Sequence, residues 1–293
     1  MMRAAIPAPF DRFVAPARAR AALWRLGAGL AVIFACYLGL NALAYGAAAA
    51  LWGSATAHLW LGKLAAATTP ASALLVLASF GPLAAGCGLA AWGLHRRGCM
   101  GVGLLRHARQ AVLIAAAVYL PALGLWLVFF DSAPNLPAGL WLNLLPLSIL
   151  AIAVQTLAEE MLFRGYLQVQ LAARFRSPLI WFALPAALFG LLHYDPSRMG
   201  AAAPLVVVSA LIFGLAAADL TTRTGSIGAA WGLHFVNNFA ALALVPTTGT
   251  ITGLGLRVTP YAAADLAAMP VLALADLAPL ALTWWILRRR LSV

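Results

Sequence analysis

The sequence predicts an all-α fold, a polytopic bundle of about eight membrane-spanning helices. Three observations carry that prediction. The 293 residues are 64% hydrophobic and 9% charged, with a mean hydropathy of +0.93, whereas soluble domains carry about 25% charged residues. Apolar runs of about 20 residues, the length needed to cross ~30 Å of hydrocarbon, recur along the chain. The basic residues mostly mark the connections: sixteen of the nineteen fall on one side of an eight-span arrangement, and only Lys63, Arg198 and Arg257 fall on the other.

Taken in order, residues 1–20 are a polar, proline-containing segment. The run at 25–51 is too long for the apolar part of a signal peptide and reads as an uncleaved anchor. Runs at 71–95, 110–130, 139–165, 178–194, 202–220, 226–245 and 268–288 complete a single transmembrane domain over 21–290. The connection 96–109, "RRGCMGVGLLRHAR", is basic and acts as a topology determinant. The longest connections, 53–70 and 246–266, lie on the opposite side, the second rich in turn-forming Gly, Thr and Pro. The positive-inside rule then places both termini in the cytoplasm of a plasma (inner) membrane. A net charge of +11 does not indicate nucleic acid, since cations that bind phosphate form a patch outside apolar segments. Cys36, Cys87 and Cys99 form no CxxC pair and define neither a disulfide nor a thiolate metal site.

The chain has only two glutamates, and they are adjacent, in "LAEEMLFRGYLQ" (157–168). An acidic side chain at bilayer depth costs about 2.5–3.5 kcal/mol, so such residues face a cavity or a partner. Glu160 and Arg164 are four apart on a helix and close enough for an ion pair. Glu159 is about 100° round from Glu160 and left facing something else. Glu160 is therefore expected to be structural and Glu159 reactive. If spans four and five form a hairpin turning near Arg176, Glu159 and His193 lie 17 residues on either side of the turn, at the same height. His234 and Asn238, in "HFVNN", share one face of span seven. His234 falls level with Glu159 only if "GYLQVQLAARFRS" projects into the cytoplasm, as its Gln and Arg content allows. Gly228 and Gly232 lie on another face as a packing surface. Asp276, in the last span, is expected to make a structural bond.

A carboxylate, two imidazoles and a carboxamide around a water-accessible pocket are the parts of a hydrolytic site. Glu159 would take a proton from water, and His193 would hold that water or pass the proton on. His234 and Asn238 would donate to a carbonyl oxygen as it becomes tetrahedral. No GxSxG, GxGxxG or HExxH motif competes. The same groups could instead bind a proton or ion in a transporter or channel, although no symmetric halves are visible. They could also survive in a non-catalytic scaffold.

Together, "EExxxR" (Glu159, Glu160, Arg164), "FxxxH" (Phe189, His193) and "HxxxN" (His234, Asn238) resemble the motifs of the CPBP, or Abi/CAAX-protease, family of intramembrane endopeptidases, which includes the Ras-converting type of CAAX prenyl protease. The likeness covers about 140–245. It implies cleavage of a peptide bond in a membrane-proximal, CAAX-type lipidated or other membrane-associated protein or peptide, with Glu159, His193, His234 and Asn238 as the catalytic set. It leaves two chemistries open. Glu159, His193 and His234 could hold Zn²⁺ with an open position, or Glu159 could activate water with no cofactor. The second is preferred because asparagine is a poor zinc ligand and a good oxyanion donor.

Overall fold

The computed structural model describes residues 7–97, 105–275 and 277–291; Cys99, Asp276 and part of the 96–109 connection lie outside the described residues. The described chain is helical apart from one two-stranded ribbon.

The chain opens with α1 (Ala8–Arg18), inside the segment expected to be merely polar. Phe10, Val14 and Ala17, spaced by four and three, form a buried stripe, while Arg12 and Arg18 carry the polarity. Next come α2 (Leu23–Trp52) and α3 (Ser54–Ala66), separated only at Gly53, whose φ of 87° breaks the helix. The connection expected over 53–70 is thus largely helical, as its Ala and Leu content favours. Thr69 and Ser72 form a capping box that starts α4 (Pro70–Ala78), and α5 (Gly81–His95) follows. After α6 (Ala108–Phe129), β1 (Ala133–Pro134) leads into α7 (Ala138–Glu160).

From α7 the backbone runs without a break through a π-helical turn, Met161–Gln168, into α8 (Val169–Arg174). A second π turn, Leu179–Ala183, enters α9 (Leu184–Leu191). Asp195 caps the short α10 (Pro196–Met199), and α11 (Ala203–Thr224) and α12 (Gly228–Phe239) follow, the latter extended by a π turn at Ala240–Leu244. The ribbon closes with β2 (Arg257–Val258), antiparallel to β1 with Ala133 opposite Val258. The last helices are α13 (Pro270–Ala275) and α14 (Leu277–Leu291).

Five helical stretches, 23–52, 70–95, 108–129, 138–174 and 196–224, are long and apolar enough to cross a membrane, and Leu179–Leu191 is a shorter apolar helix. Chain segments stand at all eight expected places, but the described helices at the fifth and seventh are shorter than a full crossing. The surface is apolar, with Leu43, Leu51, Leu113, Leu125 and Leu150 more than half exposed, the pattern of helices solvated by lipid.

Small residues set the close helix contacts. A Cβ on Gly232 would lie 2.6 Å from that of Ala111, seating α12 on α6 as the Gly228/Gly232 spacing anticipates, and one on Gly214 would lie 3.1 Å from Ala186, seating α11 on α9. Side-chain ties gather the connections into two ends. Arg25 reaches Leu94 O at 2.7 Å, and Arg106 reaches Thr224 O. At the other end Arg198 reaches Ala65 O, Arg257 reaches Ser132, and Gly253 N donates to Ala67 O at 3.0 Å. Arg25 and Arg106 thus lie opposite Arg198 and Arg257, the same partition that the charges suggest.

Candidate active site

The two glutamates stand where α7 passes into the π turn. The turn allows the helix to widen without ending, a feature frequent at functional sites. Arg164 NH1 donates to Glu160 Oε1 at 2.8 Å, and both side chains are fully buried. The guanidinium also donates to Gly214 O at 3.3 Å and lies 4.7 Å over the Phe189 ring, so charge, donors and flat face are all engaged.

Glu160 is more than a partner for arginine. Its Oε1 also meets His234 Nδ1 at 2.8 Å. A carboxylate only accepts, so the intervening hydrogen sits on Nδ1 and Nε2 is the nitrogen turned away from Glu160. That nitrogen faces Glu159 Oε2 at 3.6 Å. Both glutamates therefore converge on one imidazole from its two sides. Glu159 is 14% exposed, and its Oε2 accepts no hydrogen bond from the protein.

His193 lies one aromatic ring away. Phe163 of the π turn and Phe189 of α9 touch edge to face at 5.1 Å. Glu159 lies four residues before Phe163, and His193 four after Phe189. The two side chains form no ion pair within 4.0 Å, however, and the imidazole that Glu159 meets is that of His234. His193 Nδ1 lies 2.8 Å from Phe189 O, so it donates there and presents Nε2. Phe189 contacts both imidazoles, tilted against His193 at 4.7 Å and edge to face with His234 at 5.9 Å. Gln168 donates to Ala218 O and Thr222 Oγ1 at 3.2 and 3.0 Å, which ties the π turn to α11.

Asn238 donates through Nδ2 to Gln155 Oε1 at 3.0 Å and accepts at Oδ1 from Asn237 Nδ2 at 3.1 Å, and Tyr119 OH donates to Asn237 Oδ1 at 3.0 Å. Gln155 and Tyr119 escaped the sequence reading. The signal for Gln155 was its place four residues before Glu159 in an otherwise apolar run; Tyr119 gave none. Asp219 was also missed. It accepts from Arg223 and, at 2.9 Å, from Trp284 Nε1, and so fastens α14 to α11.

A catalytic zinc site needs three protein donors converging on one point. Among the described residues no three His, Cys, Asp or Glu side chains are grouped that way. Glu159 and His234 lie together, while His193 is not joined to them, so the expected ligand trio does not fit a zinc centre as arranged.

A family model for Rce1-like proteins, described as type II CAAX prenyl endopeptidase Rce1-like, matches residues 141–240. Residues 141–240 are therefore similar to that family. The matched segment holds all seven residues of the three motifs, together with Gln155 and Asn237; Tyr119 lies outside it. An uncharacterized Bacillus subtilis (strain 168) protein, YyaK, is 29% identical over 122 residues, 42% of this chain and 41% of its own length. The chain thus spans about two fifths of that relative. No solved structure matches.

Proposed function

We propose that this protein is an intramembrane endopeptidase that hydrolyses a peptide bond of a membrane-associated, CAAX-type substrate with water activated by Glu159. The observation that carries the reading is the pair of acceptors, Glu159 Oε2 and His234 Nε2, held 3.6 Å apart. Too far apart to bond each other, they are spaced so that one water, about 2.8 Å from each, donates to both. Its lone pair is then left to attack a carbonyl carbon.

In this scheme Glu159 removes the water proton as the C–O bond forms. The oxyanion that develops takes the second N–H of Asn238, whose first is bound to Gln155. Glu159 then returns the proton to the departing amine, with His193 Nε2 available to relay it. His234, whose hydrogen is committed to Glu160, serves as water acceptor rather than as the oxyanion donor expected from the sequence. Glu160 and Arg164 fix that imidazole. The scheme uses no metal, and the family description supports a prenylated CAAX segment as substrate.

The test is cleavage of a quenched-fluorescent peptide, ending in farnesyl-cysteine and three further residues, by the full chain in proteoliposomes. Wild type is expected to cleave it. Glu159→Gln should lose at least about 10³-fold in rate while keeping the wild-type melting profile. Equal rates for the two proteins would remove the mechanism, and stoichiometric zinc whose chelation stops cleavage would replace it with a metal-assisted one.

A further inference from the structure

The hydrogen bonds around Asn238 all point one way. Tyr119 OH donates to Asn237 Oδ1, Asn237 Nδ2 to Asn238 Oδ1, and Asn238 Nδ2 to Gln155 Oε1, at 3.0, 3.1 and 3.0 Å. The four residues come from three helices, α6, α7 and α12, so no single helix dictates the direction.

An asparagine amide can present either of two opposite faces to a reacting group. Flipped by 180°, Asn238 would offer its carbonyl oxygen where the amide N–H now points, and a lone pair facing a developing oxyanion is repulsive. Here Oδ1 is already satisfied by Asn237, and one N–H is held by the oxygen of Gln155. Flipping Asn238 alone, with Gln155 and Asn237 kept as they stand, would set oxygen against oxygen at Gln155 and N–H against N–H at Asn237. Each clash leaves a part-buried polar group unpaired, which is unfavourable. The free N–H is thereby the group left for the substrate.

We infer that Gln155, backed by Tyr119 and Asn237, is a positioning residue that locks Asn238 with its N–H toward the scissile carbonyl. Gln155 lies one helical turn before Glu159, so a single helix face carries both the water-activating carboxylate and the group that orients the oxyanion donor. The inference rests on the proposed hydrolase reading and assigns a role to a side chain that never touches substrate.

The experiment is a double-mutant cycle on the farnesylated peptide with the full chain in proteoliposomes. Gln155→Met keeps the shape and removes the acceptor. It should lower kcat about tenfold with KM within about twofold, because the lost interaction is made only in the transition state. Tyr119→Phe should act in the same direction and more weakly, and Gln155→Glu, which keeps an acceptor oxygen, should recover most of the rate. In an Asn238→Ala background, Gln155→Met should have no further effect, since the residues act as one unit. An undiminished tenfold loss in that background, or a change confined to KM, would overturn the inference. Wild type that leaves the peptide intact would instead overturn the hydrolase reading. The orientation is then read from the ¹⁵N-asparagine side-chain spectrum. Slow exchange of one Asn238 amide proton, abolished by Gln155→Met, upholds the lock, and fast exchange of both in wild type refutes it.

Discussion

The two glutamates share the His234 imidazole and differ in what else they touch. Glu160 accepts from Arg164 and His234 in a fully buried setting, so Glu160→Gln leaves a guanidinium facing no charge. Removing one partner of a buried pair costs about 3–5 kcal/mol, and thermal unfolding in detergent should register a loss of that order. Glu159→Gln, whose Oε2 accepts no hydrogen bond from the protein, should shift stability by less than about 1 kcal/mol. The ion pair at 160 and 164 was legible because four residues on a helix is a distance. That Glu160 also holds an imidazole 74 positions away was not, since no local spacing encodes it.

At the scale of elements, the site depends on how closely α9 and α11 approach. Gly214 gives its carbonyl to Arg164 and leaves no room for a side chain beside Ala186. Gly214→Leu should push the two helices apart, shift Phe189 and with it both imidazoles. A displacement of about 1 Å in such a constellation costs on the order of 10²-fold, and a kcat measurement on the farnesylated peptide checks it. Counting residues from the turn predicts a common height for Glu159 and His193. Counting could not reveal which imidazole Glu159 meets, because a shared height does not fix the rotation of a helix, and the π turn at Met161–Gln168 changes the residues per turn just beyond Glu160.

For the whole molecule, the partition of basic residues sets orientation. With Cys36, Cys87 and Cys99 replaced, a single cysteine at Thr250 should react with a membrane-impermeant maleimide on intact cells, whereas one at Arg109 should react only after permeabilisation. The reverse pattern would invert the assigned topology. The bundle's lipid-facing surface and its two chemically distinct ends follow from composition and from the spacing of the apolar runs. Composition also concealed part of the architecture: α1 packs Phe10, Val14 and Ala17 against the cluster that includes Val169 and Trp181, though its segment reads as a polar leader.

By itself the sequence determined that this chain lives in lipid, which residues are its expensive polar groups, and that these match three motifs of one family. Those properties are local or additive, set by length, hydropathy and i, i+4 spacing. Only the tertiary structure decided that His234 stands between the two glutamates, that Glu159 keeps an oxygen free, and that Asn238 is held by Gln155 and Asn237. Such contacts join side chains from separate helices, and their rotation and register are fixed by packing across the bundle, to which no short stretch of chain has access.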